Sequence, residues 1–368
     1  MGRASLRSLD PRVASAAFDE AVAAAAASGQ RSIEWMARID RGLMQLMIDP
    51  FGFTTDDLRA EVAAARAELE AGGDDEALSI VWMGLAQVEW MPCRFDAARE
   101  AAIHAVEHAR RSGDRSLLMD AMTIQVGSEL LGSTTPADGR PLLEAAEVEF
   151  GRDGFVGHVI LLQEACFDAM TGEFDRAREH VRGSEALAER FGSDLWVTAS
   201  YEFGGTIEMM AGNPEAAERS FRAEYEIHQR YGDEGHRSTA AAYVAGALCD
   251  LGRFDEAEEF ASIARRIGAD DDLATQASAR SAQALVQSAR GEHDEAQRLA
   301  KEAADLYAGA QSPWFHGNAL MTLAEVSRAA GRPEDEAEAA RAALAAFERK
   351  GNEPGAASAR ALIDEVSG

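Results

Sequence analysis

A short motif recurs about every forty residues of this 368-residue chain, and it constrains the fold more than any other feature. Its best-preserved copy is GRFDEA, from Gly252 to Ala257. Glycine suits the left-handed backbone that ends a helix, and acidic residues suit the first turn of the next one. Further copies begin at Cys93 (without the glycine), Gly172, Gly212, Gly291 and Gly331. The motif therefore predicts a tight turn between two antiparallel helices.

A second set of glycines repeats with the same period, offset from the first. Its members are Gly29, Gly72, Gly113, Gly151, Gly192, Gly232, Gly268, Gly309 and Gly351, which are 36 to 43 residues apart. Most precede polar or acidic residues, as a helix end precedes the N-cap of the next helix. Two interleaved sets with one period indicate helix–turn–helix units of about forty residues.

Small residues hold matching positions in the two helices of each unit. In the first helix they are Ala86, Ala165, Gly205, Ala245, Ala284 and Ala324, and in the second Ala98, Ala177, Ala217, Ala257, Ala296 and Ala337. Small side chains let two helix backbones approach each other, so we expect the helices of a pair to touch here. An apolar stripe at three- and four-residue spacings runs beside them.

The chain is therefore predicted to be all-α: a right-handed α-solenoid of antiparallel helix pairs, with about eight to nine units in one array over 1–368. We expect N-terminal units over 10–131, the first helix starting near Asp10, and an irregular unit over 132–152. Regular units follow over 153–351, and a closing helix over 353–366. In the irregular unit, Pro141 or a residue near it is expected to start a short helix that ends at Phe150.

Composition narrows the classes of partner. The net charge of −28 opposes binding to nucleic acid and to anionic membranes, and it also fits a solvated outer face that keeps a long array soluble. Cys93, Cys166 and Cys249 have no metal or redox spacing, which suits a reducing compartment. No run reaches the roughly 18 apolar residues of a membrane span. A cytoplasmic location is the expectation.

The turn motif and the small residues resemble the tetratricopeptide repeat (TPR), although the period exceeds the usual 34 residues. Two stretches, LAEVSRAAGRPE from Leu323 and FERKGN from Phe347, resemble the long-period TPR arms of bacterial signal-transduction ATPases, class III nucleotide-cyclase proteins and LuxR-type regulators. In those proteins such arms sense partners or ligands. This sequence contains no phosphate-binding loop and no cyclase core, so the resemblance implies no catalytic role. It leaves open whether the chain stands alone or is one arm of a larger protein.

The resemblance implies that the first helix of each pair lines a concave groove. The groove residues on that projection are Met83, Gln87, Trp90 and Met91, then Leu162, Cys166 and Met170, then Glu202, Thr206, Met209 and Met210. Flexible methionines suit an apolar or helical partner. The alternative is that these side chains pack on each other as core.

Other candidate sites favour structural interpretations. Trp196 and Trp314 begin helices and are expected to seal neighbouring units. His104 and His108 lie one helical turn apart, but no third metal ligand is evident, and the remaining histidines are scattered through different units. No nucleophile–base pattern is present. We therefore predict no enzyme, no cofactor and no metal site.

Two functional hypotheses remain. The first is a non-enzymatic TPR scaffold that binds a protein or peptide in the concave groove, in bacterial signalling or transcriptional regulation. The second is a sensor that binds a small apolar molecule or peptide there. Self-association into a homo-oligomer is left open.

Overall fold

The computed structural model describes residues 11–49 and 51–367 of the protein. These residues form helices and connecting turns, with no strand among them. The helices, in order, are α1 Pro11–Ser28, α2 Arg31–Ile48, α3 Thr55–Leu69, α4 Asp75–Trp90, α5 Phe95–Ser112, α6 Arg115–Leu131, α7 Pro136–Phe150, α8 Gly154–Met170, α9 Phe174–Phe191, α10 Asp194–Met210, α11 Pro214–Tyr231, α12 Glu234–Asp250, α13 Phe254–Ile267, α14 Leu273–Ala289, α15 His293–Ala308, α16 Pro313–Ala329, α17 Pro333–Lys350 and α18 Glu353–Ser367. The all-helical α-solenoid is confirmed; the predicted start at Asp10 lies outside the described residues.

Local chemistry sets the helix ends as the sequence predicts. Gly113 ends α5 with φ of 76°, a left-handed conformation that costs glycine little. The carboxylate of Asp114 then accepts hydrogen bonds from the backbone N–H groups of Ser116 and Leu117. Because Gly113 and Asp114 accommodate these two helix ends, the turn between α5 and α6 takes only two residues.

The small residues lie where helices touch, with one correction. Alanines such as Ala217 and Ala257 are completely buried. A Cβ on Gly205 would lie 2.5 Å from the Phe221 ring. Ala337, however, is only half-buried, whereas Glu336 is 5% exposed. The turn after Gly331 has the same length as the others, so its fifth following residue, Glu336, takes the position that alanine holds elsewhere.

The irregular unit also departs from the prediction. Its helix, α7, begins at Pro136, and Pro141 lies inside it. Thr135 is the N-cap: its Oγ1 accepts from the Asp138 backbone N–H and donates to the Asp138 carboxylate at 2.7 Å. This cap and a proline in the first helical position determine the helix start earlier than Pro141 does.

Ion pairs join successive units in the first half of the array. They link Arg59 to Glu89 at 2.8 Å, Arg99 to Glu129 at 3.9 Å, Arg140 to Asp168 at 2.8 Å and Arg178 to Glu208 at 2.7 Å. The carboxylates are 39 or 40 residues apart, so the pairs repeat with the unit. Half-buried arginine–carboxylate contacts of this kind help to fix how one hairpin sits on the next.

The coil closes on itself. With the exception of α10 and α12, the first helices of neighbouring pairs contact each other, which places them on the inner side of the curve. Helix α12 also reaches across to contact α2. Two segments from the first turn of the coil, residues 91–97 and 129–136, pack against a later turn of the coil. There they contact the starts of α14 and α16 and the end of α17. We call this contact the seam. The Leu273 N–H donates to the carbonyl of Met91 at 3.2 Å, and the Gln311 N–H donates to that of Cys93 at 2.9 Å.

Lys350 fastens the far end of the seam. Its side chain is completely buried, and Nζ donates to the carbonyls of Gly132 at 2.8 Å, Thr134 at 2.6 Å and Glu129 at 3.3 Å. Burial lowers the pKa of Lys350 to about 7. The three carbonyls favour the protonated amine, because each of its N–H groups finds an acceptor. This residue therefore holds the end of α17 against the loop between α6 and α7.

The turn between α4 and α5 has Cys93 at the position where the equivalent turns have glycine. Cys93 has φ of 53°, the conformation that glycine adopts in the equivalent turns, and its side chain is 1% exposed. A left-handed backbone is unfavourable for a residue with a Cβ. Here the side chain is buried at the seam while the carbonyl accepts from Gln311, so packing and hydrogen bonding offset the backbone strain.

Candidate functional site: the cleft between α10 and α12

The inner helices separate at one place. Neighbouring inner helices from α2 to α10 and from α12 to α18 pack against each other, whereas α10 and α12 are held apart by α11, which packs against both. Glu202 and Thr206 lie one turn apart on α10, Glu224 lies on α11, and His236 and Tyr243 lie on α12. We call the space between these residues the α10–α12 cleft.

The predicted groove residues fall into three groups. Met83, Cys166 and Met170 are buried in the main core and Leu162 is buried as well, so in this structure these four residues offer no open surface. Gln87, Trp90 and Met91 are half-buried and lie near the seam, where the Trp90 ring packs edge-on against Phe95 at 5.1 Å. The third group lies on α10 and is half-buried: Glu202, Thr206, Met209 and Met210.

Within that third group the methionines diverge. Met209 packs against the apolar cluster that contains Phe221 and Val244, whereas Met210 packs against the main core. Phe221 in turn contacts the Tyr243 ring at 5.3 Å. The structure therefore joins Met209 to α11 and α12, whereas Met210 packs against the core that contains Met83, Cys166 and Met170.

The cleft is acidic. Burial raises the pKa of Glu202, which the nearby His236 partly offsets. Burial, together with the charges of Glu202 and Asp233, raises the pKa of Glu224 well above its usual value. Glu224 is 2% exposed, and its Oε2 has no hydrogen-bond partner in the described part of the chain. An unpaired buried carboxyl group is costly, and such groups are concentrated at functional sites.

Two histidines meet one carboxylate at the cleft. Asp233 Oδ2 lies 2.8 Å from His236 Nδ1 and 3.2 Å from His228 Nδ1. The two imidazole rings stack, with centroids 5.1 Å apart. On the other side of His228, Nε2 lies 3.9 Å from Glu224 Oε1. Asp233 also caps α12, because its Oδ1 accepts from the backbone N–H of His236 at 3.1 Å.

Opposite pKa shifts distinguish the members of this cluster. Burial would raise the pKa of Asp233, but the charge of His236 and hydrogen bonds from both histidines outweigh it and hold that pKa far below normal. The carboxylate in turn raises the pKa of the exposed His236 to about 9. Burial lowers the pKa of His228, against the pull of Asp233. The cluster thus holds a charged pair beside a neutral imidazole.

Sequence reasoning missed this cluster. His228 and His236 were expected to lie apart because they belong to different units, yet the turn Tyr231–Asp233 brings them together. The signal is His228-x₄-Asp233-x₂-His236 across a helix end and the following N-cap. His104 and His108, by contrast, do not converge: His108 pairs with Asp75 at 2.7 Å, and His104 packs on Trp82.

The predicted sealing aromatics are both buried. Trp196 stacks on His158 with ring centroids 5.4 Å apart. Trp314 packs on its neighbour Phe315, whose ring lies 6.0 Å from Phe95 across the seam. Trp314 and Phe315 therefore connect two turns of the coil as well as neighbouring units.

No helix of the described residues has the length and apolar character that crossing a bilayer requires. No protein-family profile matches the sequence, and no curated protein is similar to it.

Solved structures, in contrast, share the architecture. A Rap protein, in a complex with competence and sporulation factor, superposes with a TM-score of 0.69 at 13% identity, over 86% of each chain. A chain of the APC/C hetero-tetramer Cut9–Hcn1 gives a TM-score of 0.64 at 12% identity over 90% of this chain, which spans 56% of the length of that one. Both are TPR-type helical repeat proteins. At this level of identity the likeness establishes the fold alone: the protein is a TPR-like α-solenoid.

Proposed function

We propose that the protein is a non-enzymatic TPR-like interaction module that binds a protein or peptide in the α10–α12 cleft. The observation that carries the proposal is the separation of α10 from α12, where Glu202 and Met209 of α10 stay half-buried, whereas the predicted groove residues of α8 are buried. Extended inner surfaces are what repeat arrays use for binding. The resemblance of the C-terminal stretches to bacterial TPR arms supports a role in signalling or transcriptional regulation.

The chemistry of the cleft favours one kind of partner. Glu202 and Glu224 have raised pKa values because burial leaves their charge poorly solvated. A basic group from a partner would stabilise their ionised forms. Met209, which is half-buried two turns along α10 from Glu202, offers a flexible apolar contact. A segment that carries both positive charge and an apolar side chain is therefore the best fit. The complex of the Rap protein with competence and sporulation factor supports such a use of this fold.

Binding to a library of short peptides, measured by fluorescence anisotropy, tests the proposal. We expect peptides with net positive charge and one or two large apolar residues to bind, and their affinity to fall as salt is added. Glu202→Lys and Met209→Asp should each weaken binding at least tenfold. Glu338→Lys makes the same charge change at an exposed site on α17, outside the cleft, and should leave binding intact. No selectivity for basic peptides, or equal losses in Glu202→Lys and Glu338→Lys, would contradict the proposal.

A further inference from the structure

The cluster of His228, Asp233 and His236 has the composition of a metal site. Each residue offers one ligand atom, and the three atoms lie within 4.8 Å of one another. Imidazole nitrogen and carboxylate oxygen are preferred ligands of Zn²⁺. Ligands at about 2.1 Å from a tetrahedral ion are roughly 3.4 Å apart. The distances from Asp233 Oδ2 to the two Nδ1 atoms, 2.8 and 3.2 Å, require only a small expansion.

Asp233 is held in place for this role. Its Oδ1 accepts the backbone N–H of His236 as the N-cap of α12, which leaves Oδ2 directed at both imidazoles. The side chain is almost completely buried, and the last turn of α11 brings the Nδ1 atom of His228 to the same oxygen that His236 contacts. Three ligand atoms are thus positioned by the ends of two helices and the short turn between them, on a rigid part of the fold.

Glu224 supplies an independent observation. It is buried, its Oε2 has no hydrogen-bond partner in the described residues, and its Oε1 lies 3.9 Å from Nε2 of His228. When a histidine binds a metal through one nitrogen, the other usually donates its N–H to a carboxylate, which fixes the ring. Glu224 stands where that carboxylate belongs if His228 binds through Nδ1. Without an ion, the structure gives this buried acid no comparable partner.

We propose that His228 Nδ1, His236 Nδ1 and Asp233 Oδ2 bind a divalent transition-metal ion, with Zn²⁺ the best match, and that Glu224 orients His228 from outside the coordination shell. Three protein ligands leave a coordination position for water or for a donor atom of a bound molecule. The side chain of His236 is 53% exposed, so the ion is reached from the α10–α12 cleft. The site would fasten α12 to α11 at the place where the inner helices separate.

Isothermal titration of the full chain with ZnCl₂ tests the site. The protein carries no histidine tag and is first dialysed against a chelator. We expect one equivalent of Zn²⁺ to bind, and Co²⁺ in its place to give visible absorption bands of a four-coordinate ion. His236→Ala removes an exposed ligand, so the fold should survive, and affinity should fall at least a hundredfold. Glu224→Gln should weaken binding about 10- to 100-fold, as loss of an outer carboxylate does.

The matched control is the double variant His104→Ala, His108→Ala. It removes two histidines that are also close in sequence but do not converge, and it should bind Zn²⁺ as the parent does. The proposal is overturned if the parent binds less than one equivalent, if His236→Ala binds as tightly as the parent, or if the control loses the metal. The assay contains no partner, so its result stands apart from the outcome of the peptide experiment.

Discussion

The seam and the α10–α12 cleft are built from the same repeat but differ in how they pair a buried charged group, Lys350 at the seam and Glu224 in the cleft. At the seam, Nζ of Lys350 donates to three carbonyls. The N–H groups of Leu273 and Gln311 donate to carbonyls in the first turn of the coil. In the cleft, Glu224 is buried with one oxygen unpaired, and Glu202 lies beside it. The seam thus pairs its buried amine, whereas the cleft leaves a buried carboxyl oxygen without a hydrogen-bond partner, and it is there that we propose binding.

Replacing Lys350 should produce the largest loss of stability. Lys350→Met keeps the length of the side chain but leaves three carbonyls of the α6–α7 loop without their donor. An unpaired buried polar group costs about 1–3 kcal/mol, so we expect a loss of roughly 3 kcal/mol or more in the free energy of unfolding. Urea denaturation followed by circular dichroism measures it.

Lys301, the only other lysine of the sequence, is the control. It is exposed and pairs with Asp305 at 2.7 Å, so Lys301→Met should change stability by less than about 0.5 kcal/mol. An amine-reactive reagent read by mass spectrometry gives a second measurement, in which Lys301 should react quickly and Lys350 slowly. Equal losses in the two variants, or equal labelling of the two lysines, would mean that the seam does not form in solution.

A second prediction compares two histidines with opposite environments. His236 is exposed beside a carboxylate, whereas His158 is buried beside Ser184 and Trp196, and burial lowers the pKa of His158 to about 4. The unfolded chain, with a histidine pKa near 6.5, then binds more protons between pH 6.5 and pH 4, so acidification destabilises the fold. His158 should account for about 2–3 kcal/mol of the stability lost between pH 7 and pH 4.5.

His158→Gln removes that titration while retaining a polar group near Ser184. We expect it to lower stability at pH 7 and to flatten the loss between pH 7 and pH 4.5, measured as urea midpoints at several pH values. His104→Gln, at an exposed position, should leave the slope unchanged. A slope in His158→Gln as steep as in the parent would show that His158 is not buried as a neutral imidazole.

The smallest predicted effects concern Cys93. Cys93→Gly relieves the strained backbone but removes a buried side chain, and the two changes, each about 1 kcal/mol, should nearly cancel. Cys93→Val adds a β-branched side chain at a positive φ and should destabilise by about 2 kcal/mol. Midpoints of urea unfolding are again the measurement.

Gly172→Val is the matched variant, because Gly172 has a φ of 81° in the equivalent turn and a side chain added there would enter open space. It should cost about 1–2 kcal/mol through backbone strain alone. If Cys93→Gly proved destabilising by well over about 1 kcal/mol, packing at the seam would outweigh backbone strain more than we infer.

Much of the fold follows from the sequence because its signals are local. The turn glycines, the N-cap Asp114 and the small residues act within one hairpin, and one hairpin predicts the next. One helix start and one small-residue position were wrong for local reasons too: Thr135 caps a helix before Pro141, and Glu336 takes the position predicted for Ala337. What the sequence does not reveal is the pitch of the coil. Contacts such as Lys350 with Gly132 join residues 218 positions apart, and no periodic pattern identifies them.

The candidate site was predictable only in part, for the same reason. Glu202 and Met209 follow from the projection of inner helices, but the separation of α10 from α12 depends on the accumulated curvature of all units. His228 and His236 could have been paired from sequence, because the hairpin turn between them is short. The two histidines lie on different helices, so a pattern within one helix does not reveal the pair.

Closure of the coil has a consequence for how such a chain can change its length. A hairpin inserted between the loop after α6 and the end of α17 would carry Lys350 one step past the carbonyls that it binds. Duplication of units is therefore disfavoured across that span. Lengthening that leaves these partners in register is confined to positions outside the segment from Glu129 to Lys350.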